Sequence, residues 1–150
     1  MNLTTRSGAE RALRAHYMTE VLGTEDFEKF ESTVASDGKS LLAGAMSACL
    51  AEFDGSLRRS APRGWSAHHR AKRRLATLVG PVEFERTVFT DEFGRRRALL
   101  DELLSIPPRS RLSPGAFLWL VRRAAEESYR KTAAAFREET GCRVSHVAVM

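Results

Sequence analysis

The chain has 150 residues, of which 43% are hydrophobic and 29% are charged, and its formal net charge at pH 7 is +5. This length suits about one domain, and the composition excludes a disordered chain. No apolar run approaches the roughly 20 residues that span a bilayer, and the N-terminus lacks the apolar segment of a signal peptide, so we expect a cytoplasmic protein without a membrane partner.

Charge is divided unevenly along the chain. Residues 1–57 carry five basic and nine acidic side chains, whereas residues 58–150 carry 19 basic and 10 acidic ones. A strongly basic C-terminal part favours a nucleic acid or another polyanion as partner, although many proteins carry such charge only as a solvated face.

Residues 1–53 are predicted to form an acidic helical bundle, because apolar residues recur there at the helical period. Three helices are expected, with a turn at the "SDGK" of residues 36–39 between the second and the third. Their apolar faces are Leu13, Tyr17 and Val21 in the first, Phe27, Phe30 and Val34 in the second, and Leu42, Ala45, Met46, Cys49, Leu50 and Phe53 in the third. These faces indicate a helical core, or a surface through which copies of the chain form a homo-oligomer.

Residues 54–74 are predicted to be a basic linker, because they hold seven basic residues, one acid and several glycine, proline and serine residues. A flexible arm of this kind can lie along DNA phosphates and add salt-dependent affinity. The residues expected to do so are Arg70, Lys72, Arg73 and Arg74. A solvated linker without a partner is the alternative.

Residues 75–104 carry β signals and predict a small antiparallel meander. The expected strands are 75–79, 82–90 and 95–99, separated by a "GP" break and by a turn at "TDEFG". Because two or three strands are only marginally stable alone, we expect neighbouring helices to cover their apolar face.

Residues 105–150 are predicted to be a helix-turn-helix-like segment. Ser113 is placed to cap one helix with Pro114 at its first position, Ser128 to cap a second, and Gly141 to end that helix in the left-handed conformation. Ser145 would cap a third helix, and the sequence stops about one turn later. The expected inward faces are Phe117, Leu120, Val121 and Ala124 in the first helix and Tyr129, Ala133 and Phe136 in the second. An ordinary helical hairpin would give the same pattern.

A helix-turn-helix places its second helix in the major groove, where the first residues of that helix contact base edges. Here the recognition helix would start at Ser145, with Arg143 and His146 beside it. Arg130 and Lys131, at the start of the preceding helix, would contact phosphates. The alternative is that these are solvated surface charges. We therefore expect an α+β fold, mainly helical, that binds double-stranded DNA.

The sequence offers no pattern of catalytic or metal-binding residues. Cys49 and Cys142 lie far apart, and neither has a second cysteine or a histidine at the spacing of metal ligands. The acidic pairs at 91–92 and 101–102 lack a nearby histidine or a glycine-rich phosphate loop. We expect a chain that is not an enzyme and that holds no metal or other cofactor.

Three stretches of the sequence together resemble a known family. They are "TLVGPVEFERTVF" at 77–89, "LLDELLSIPPRSRLSPGA" at 99–116 and "SYRKTAAAFREETGCRVSHVAV" at 128–149. Their order, after an acidic helical N-terminus and a basic stretch, resembles the N-terminal region of a bacterial insertion-sequence transposase family, the ISLre type, long catalogued as an uncharacterised protein family.

The resemblance implies a DNA-binding region that recognises the terminal inverted repeats of the element through a helix-turn-helix. In that family an RNase H-like domain with metal-binding acidic residues follows. The chain would then be a fragment truncated before the catalytic domain, without catalytic activity of its own. Two other hypotheses stay open, namely a protein–protein module that dimerises and regulates transposition, and an unrelated small DNA-binding regulator.

Overall fold

The computed structural model describes residues 3–23 and 26–145 and has an α+β fold with one antiparallel sheet, as the sequence predicts. In chain order, the elements are α1 (Leu3–Leu22), α2 (Phe27–Arg59), β1 (Ser66–Thr77), β2 (Gly80–Thr90), β3 (Arg96–Arg97), α3 (Leu99–Leu103), α4 (Pro114–Ala124) and α5 (Tyr129–Thr140). The chain separates into two compact units, Met1–Lys39 and Ser40–Met150, and α2 has residues in both. Within the described residues, no helix combines the length and the apolar character that crossing a membrane requires.

The first unit holds α1 and the beginning of α2. The ring of Tyr17 packs edge-on against Phe30, with 6.3 Å between ring centroids, and its hydroxyl lies 3.4 Å from the Asp37 carboxylate. Leu13 and Val21, which the sequence predicts on the same inward face as Tyr17, are exposed. Of the three residues on the predicted apolar face of α1, only Tyr17 is therefore seen to pack against α2 among the described residues.

Helix α2 is continuous over 33 residues, where the sequence predicts two helices separated by a turn at residues 36–39. The prediction of a turn is wrong because Gly38 in a helix interior costs only about 1 kcal/mol relative to alanine. That cost is too small to interrupt a helix whose flanking turns keep their hydrogen bonds.

The second unit buries a different face of α2 from the one that its apolar pattern predicts. Ala43 is buried, and Leu50 and Leu57 pack against the same hydrophobic cluster. The residues of the predicted stripe other than Leu50 are exposed, including Leu42 (58% exposed) and Phe53 (40% exposed). Two apolar stripes lie side by side on this helix, and only one contacts the sheet.

The sheet has the order β1-β2-β3, and all pairs are antiparallel, so the predicted meander is confirmed. Its first strand begins at Ser66, which corrects the prediction that residues 54–74 form a flexible linker. The strand was not predicted because basic residues crowd the middle of β1, where Lys72, Arg73 and Arg74 are consecutive and interrupt the alternation of polar and apolar residues. The hairpin turn falls at residues 78–79, and Gly80 opens β2 with a φ of +118°.

Helix α2 covers part of the outer edge of β2. On this edge β3 pairs with Phe89 and Thr90, and the earlier part of the edge has no strand partner among the residues that the structure describes. There the Ser47 hydroxyl donates to the Glu83 carbonyl. The buried Asp54 carboxylate accepts from the Thr87 amide at 2.8 Å and from the Thr87 hydroxyl at 2.7 Å. These bonds satisfy backbone groups that an open sheet edge would expose.

Two hydrophobic clusters hold the second unit together. The first joins α2 to the sheet and to the segment around α3, and its buried residues are Ala43, Leu75, Val82, Phe84, Leu100 and Ile106. The second joins α4, α5 and the segments around them, and its buried residues are Leu112, Ala116, Leu120, Phe136 and Cys142.

The predicted caps of α4 and α5 are confirmed. The Ser113 hydroxyl accepts from the Ala116 amide at 3.1 Å, the Ser128 hydroxyl accepts from the Lys131 amide at 3.4 Å, and Gly141 has a φ of +71°. Their predicted inward faces are only partly right. Leu120 and Phe136 are buried, whereas Phe117, Val121 and Tyr129 are exposed. Of the helix predicted to start at Ser145, residues 146–150 lie outside the described residues.

Candidate nucleic-acid interface

Three of the predicted DNA-contacting residues lie on one exposed face of β1. Arg70, Lys72 and Arg74 alternate with residues of the opposite face, because successive side chains of a strand point to opposite sides. Arg70 pairs with Glu85 on β2 at 3.3 Å, and Arg74 pairs with Glu83 at 3.3 Å. Two of the three positive charges therefore have an acidic partner, and this face is less basic than the sequence suggests.

Arg73 points to the other face of β1 and is 9% exposed, which corrects the prediction that it lies on an open basic arm. Its guanidinium contacts Asp101 at 3.0 Å and donates to the carbonyls of Pro107 at 2.7 Å and Ser110 at 3.2 Å. Because a buried charge is costly unless it is paired, these contacts fix the segment after α3 against β1. Arg73 therefore lies where a DNA duplex on the exposed face of β1 cannot reach it.

Three arginines line a cavity of about 700 Å³ at the C-terminal end of β1, which we call the outer pocket. Its basic residues are Arg74, Arg111 and Arg143. The sequence does not predict Arg111 as a site residue, because it lies in a spacer without a motif. Two of the three, Arg74 and Arg143, were predicted to contact DNA from separate segments, and the fold brings them to one cavity.

Backbone hydrogen bonds place Arg111 beside β1. The Ala76 amide donates to the Arg111 carbonyl at 2.8 Å, and the Ser113 amide donates to the Ala76 carbonyl at 3.0 Å. Together they make a short parallel bridge between Ala76 and Leu112. The buried Leu112 then anchors this segment in the second hydrophobic cluster.

The turn after α5 places Arg143. Gly141 adopts the left-handed conformation that ends the helix, and the Cys142 amide donates to the Thr140 hydroxyl at 3.1 Å. Cys142 is buried and Val144 packs against the same cluster, so the exposed Arg143 lies between two anchored neighbours.

Arg111 and Arg143 form no ion pair within residues 3–23 and 26–145, and Arg74 is paired only with Glu83. A pocket with three guanidinium groups and no acidic residue in its described lining suits an anion. Arginine binds phosphate oxygens through two parallel N–H donors, which gives both affinity and orientation.

The other predicted contacts that the structure describes do not line this pocket. Arg130 and Lys131 are exposed in the first turn of α5, where the helix dipole adds partial positive charge. Ser145 is exposed and not helical, and His146 lies outside the described residues. In the part of the chain that the structure describes, no three His, Cys, Asp or Glu side chains come together as metal ligands would.

Comparison with known proteins places the chain in a family. The model of an uncharacterised protein family, UPF0236, matches residues 22–150. The chain belongs to this family. UPF0236 protein TTE0402 of Caldanaerobacter subterraneus subsp. tengcongensis is 35% identical over 92 residues, which are 59% of this chain and 19% of that protein. UPF0236 protein TTE2489 of the same organism is 34% identical over 91 residues, or 59% of this chain and 20% of that protein. The matched stretch thus spans about a fifth of these UPF0236 proteins.

Proposed function

We propose that the chain is the DNA-binding N-terminal region of an insertion-sequence transposase, which recognises the ends of the element and has no catalytic activity of its own. The observation that carries this proposal is the outer pocket. Its three arginines come from the β-hairpin, from the spacer before α4 and from the segment that follows α5. A phosphate bound there would fix the position of the segment that leads to the predicted recognition helix.

Membership of UPF0236 supports the proposal, because the resemblance to ISLre-type transposases rests on the same stretch of the chain. The name of one relative from Caldanaerobacter subterraneus subsp. tengcongensis adds a second kind of support, because it joins eleven designations that share the prefix TTE. Such a name fits a protein encoded by several copies in one genome. Multiple copies are what a mobile element would produce.

The proposal predicts a defined salt dependence. If Arg74, Arg111 and Arg143 each neutralise one phosphate, log K should fall with log[salt] with a slope of about −2.7. Affinity for a short duplex should then fall about 40-fold between about 50 and 200 mM salt. Fluorescence anisotropy with a duplex from the DNA that flanks the gene, beside a scrambled duplex, measures both the slope and the specificity. Absence of binding to either duplex at low salt would refute the proposal.

A second function, self-association, is favoured by the exposed apolar stripe of α2. Leu42, Met46, Cys49 and Phe53 are exposed and follow a 4-3-4 spacing, which is the spacing of a coiled-coil seam. We propose that a second copy of the chain would pack against this stripe. Sedimentation velocity over a range of concentrations tests it, with Met46→Glu as the disrupting variant and Glu52→Lys, on another face of α2, as the control. A monomer at all concentrations would exclude this function.

A further inference from the structure

A second cavity lies on the opposite face of β1 from the outer pocket, because Arg73 and Arg74 are neighbours in the strand and point to opposite sides. Its volume is about 600 Å³, and we call it the inner cleft. Five arginines line it, namely Arg73, Arg86, Arg96, Arg97 and Arg109. Two acidic residues, Asp101 and Glu102, share the lining.

The two acidic residues neutralise only part of the positive charge of the five arginines. Glu102 binds Arg97 through two hydrogen bonds of 2.6 Å each, so this pair is balanced. Asp101 uses one oxygen, Oδ2, for both Arg73 at 3.0 Å and Arg86 at 3.1 Å. One carboxylate thus faces two guanidinium groups whose side chains are only 8% and 17% exposed.

Arg96 and Arg109 add to the unbalanced charge. Both are exposed at the cleft, and neither forms an ion pair with any residue that the structure describes. Arg73, Arg86, Arg96 and Arg109 therefore share the described lining with one carboxylate that is not already paired with Arg97, namely Asp101, which leaves an excess of three positive charges. Arg73 and Arg86, which share that carboxylate, repel each other, and an anion in the cleft would relieve this repulsion.

Buried polar atoms of the cleft are also incompletely satisfied. The buried Nε group of Arg73 makes no hydrogen bond to the described residues, and neither does the buried Oδ1 of Asp101. The Nε group of Arg86 lies 3.1 Å from Oδ2 of Asp101 but is not aligned as a hydrogen bond. Burial lowers the pKa of the Arg73 guanidinium, an effect that Asp101 opposes and Arg86 reinforces. Burial raises the pKa of the Asp101 carboxyl, and the positive charges of Arg86 and Arg73 oppose this rise. Unsatisfied buried donors are costly, so an acceptor in the cleft would stabilise this arrangement.

The loop beside the cleft carries backbone strain. Ser105 and Arg109 both line the cleft and have positive φ angles of 52° and 62°, which non-glycine residues rarely adopt. Strained residues of this kind concentrate at ligand sites, where the surrounding structure holds them in place. Here the strain sets the backbone from which Arg109 extends at the cleft.

We propose that the inner cleft binds the phosphate group of a nucleotide, with Arg86, Arg96 and Arg109 as its ligands. The volume lies within the range of small-molecule sites and exceeds what a phosphate alone needs. Ile106, Pro107 and Pro108 supply an apolar wall for the sugar or the base. The phosphate can belong to a DNA strand or to a free nucleotide. In the first case the inference rests on the proposed function and deepens it.

Isothermal titration calorimetry with thymidine 5′-monophosphate tests the proposal, with thymidine as the probe that lacks the phosphate. The monophosphate should bind and thymidine should not. The double variant Arg96→Gln/Arg109→Gln should weaken binding about tenfold, because each arginine contributes charge-assisted hydrogen bonds. Both side chains are exposed, so the variant should keep its fold.

The matched control is Arg122→Gln/Arg137→Gln, which removes the same charge from exposed positions outside the cleft. It should bind the monophosphate as the unmodified chain does. Equal weakening in both double variants, or equal binding of monophosphate and thymidine, would overturn the proposal. In NMR spectra, the side-chain Nε–H signal of the proposed ligand Arg86 should shift when the monophosphate is added, and an unchanged signal would also overturn the proposal.

A single-stranded oligothymidylate identifies the source of the phosphate. Binding that is tighter than that of the monophosphate, and is lost in Arg96→Gln/Arg109→Gln, assigns the cleft to a DNA strand. Weaker binding of the oligomer assigns it to a free nucleotide, and both results support a phosphate site.

If a duplex fails to bind at low salt while the monophosphate binds, the proposed function fails and the proposal of a phosphate site in the inner cleft stands. If the duplex binds and neither the monophosphate nor the oligomer does, the cleft proposal fails alone.

Discussion

Replacement of Asp54 by alanine should strongly destabilise the second unit. Asp54 is 1% exposed, and its carboxylate accepts hydrogen bonds from the amide and the hydroxyl of Thr87, which is 2% exposed. Asp54→Ala would leave both donors buried without a partner, at a cost of about 1–3 kcal/mol each. We therefore expect a loss of about 4 kcal/mol, a large part of the roughly 5–15 kcal/mol by which domains are stable.

The free energy of unfolding from urea denaturation, followed by circular dichroism, measures this loss. Asp54→Asn should cost only about 1 kcal/mol, because its amide oxygen still accepts from the Thr87 amide and the hydroxyl can turn to accept from the new NH₂ group. Glu52→Ala, on an exposed position of the same helix, should change stability by less than about 0.5 kcal/mol. If Asp54→Ala is no more destabilising than Glu52→Ala, α2 does not hold the edge of β2 in the way described.

Three further predictions concern local structure. Hydrogen bonds from the Arg95 and Phe93 amides and the Arg95 side chain hold the pKa of Asp91 below its ordinary value, although burial acts to raise it. The stability that Asp91 contributes should be fully present above the carboxyl pKa of the unfolded chain, near 4, and should be lost as pH falls through the lower pKa of the folded chain. The loss of stability in Asp91→Asn, measured by thermal denaturation, should therefore shrink below about pH 4. A loss that stays constant with pH would contradict this. Gly141→Ala should cost about 1 kcal/mol in urea denaturation, because the residue must keep a positive φ, and a neutral result would mean that the turn after α5 can relax. Ser113→Ala should cost about 1 kcal/mol through loss of the α4 cap, whereas Ser113→Asp should be nearly neutral.

Local signals in the sequence predicted the fold where one residue determines one conformation. Ser113, Ser128 and Gly141 act at helix ends through hydrogen bonds or backbone angles within a few residues, and the structure confirms all three. The meander was predictable for the same reason, since alternation along a strand is local. The start of β1 was not predicted, because its basic residues resemble a linker. The predicted third strand, 95–99, is wrong in length, because β3 holds only Arg96–Arg97 and α3 begins at Leu99.

Features that depend on tertiary contacts could not be predicted. The sequence shows two adjacent stripes on α2, and which one is buried depends on Ser47 and Asp54 meeting the edge of β2. The outer pocket depends on the bridge between Ala76 and Leu112, which joins segments more than 30 residues apart. The burial of Arg73 depends on Asp101 in the same way. Of the predicted DNA contacts that lie within residues 3–23 and 26–145, only Arg74 and Arg143 line the outer pocket.

The proposed DNA-binding role is tested most directly by the salt dependence of duplex binding in Arg111→Gln/Arg143→Gln. Both side chains are exposed and line the outer pocket, so the variant should keep its fold and lose two phosphate contacts. Fluorescence anisotropy should show a slope of log K against log[salt] that is shallower by about 1.8 than that of the unmodified chain. Arg122→Gln/Arg137→Gln, with the same change of charge, should leave the slope unchanged. Equal slopes for the pocket variant and the unmodified chain would contradict the assignment of the outer pocket as the DNA interface.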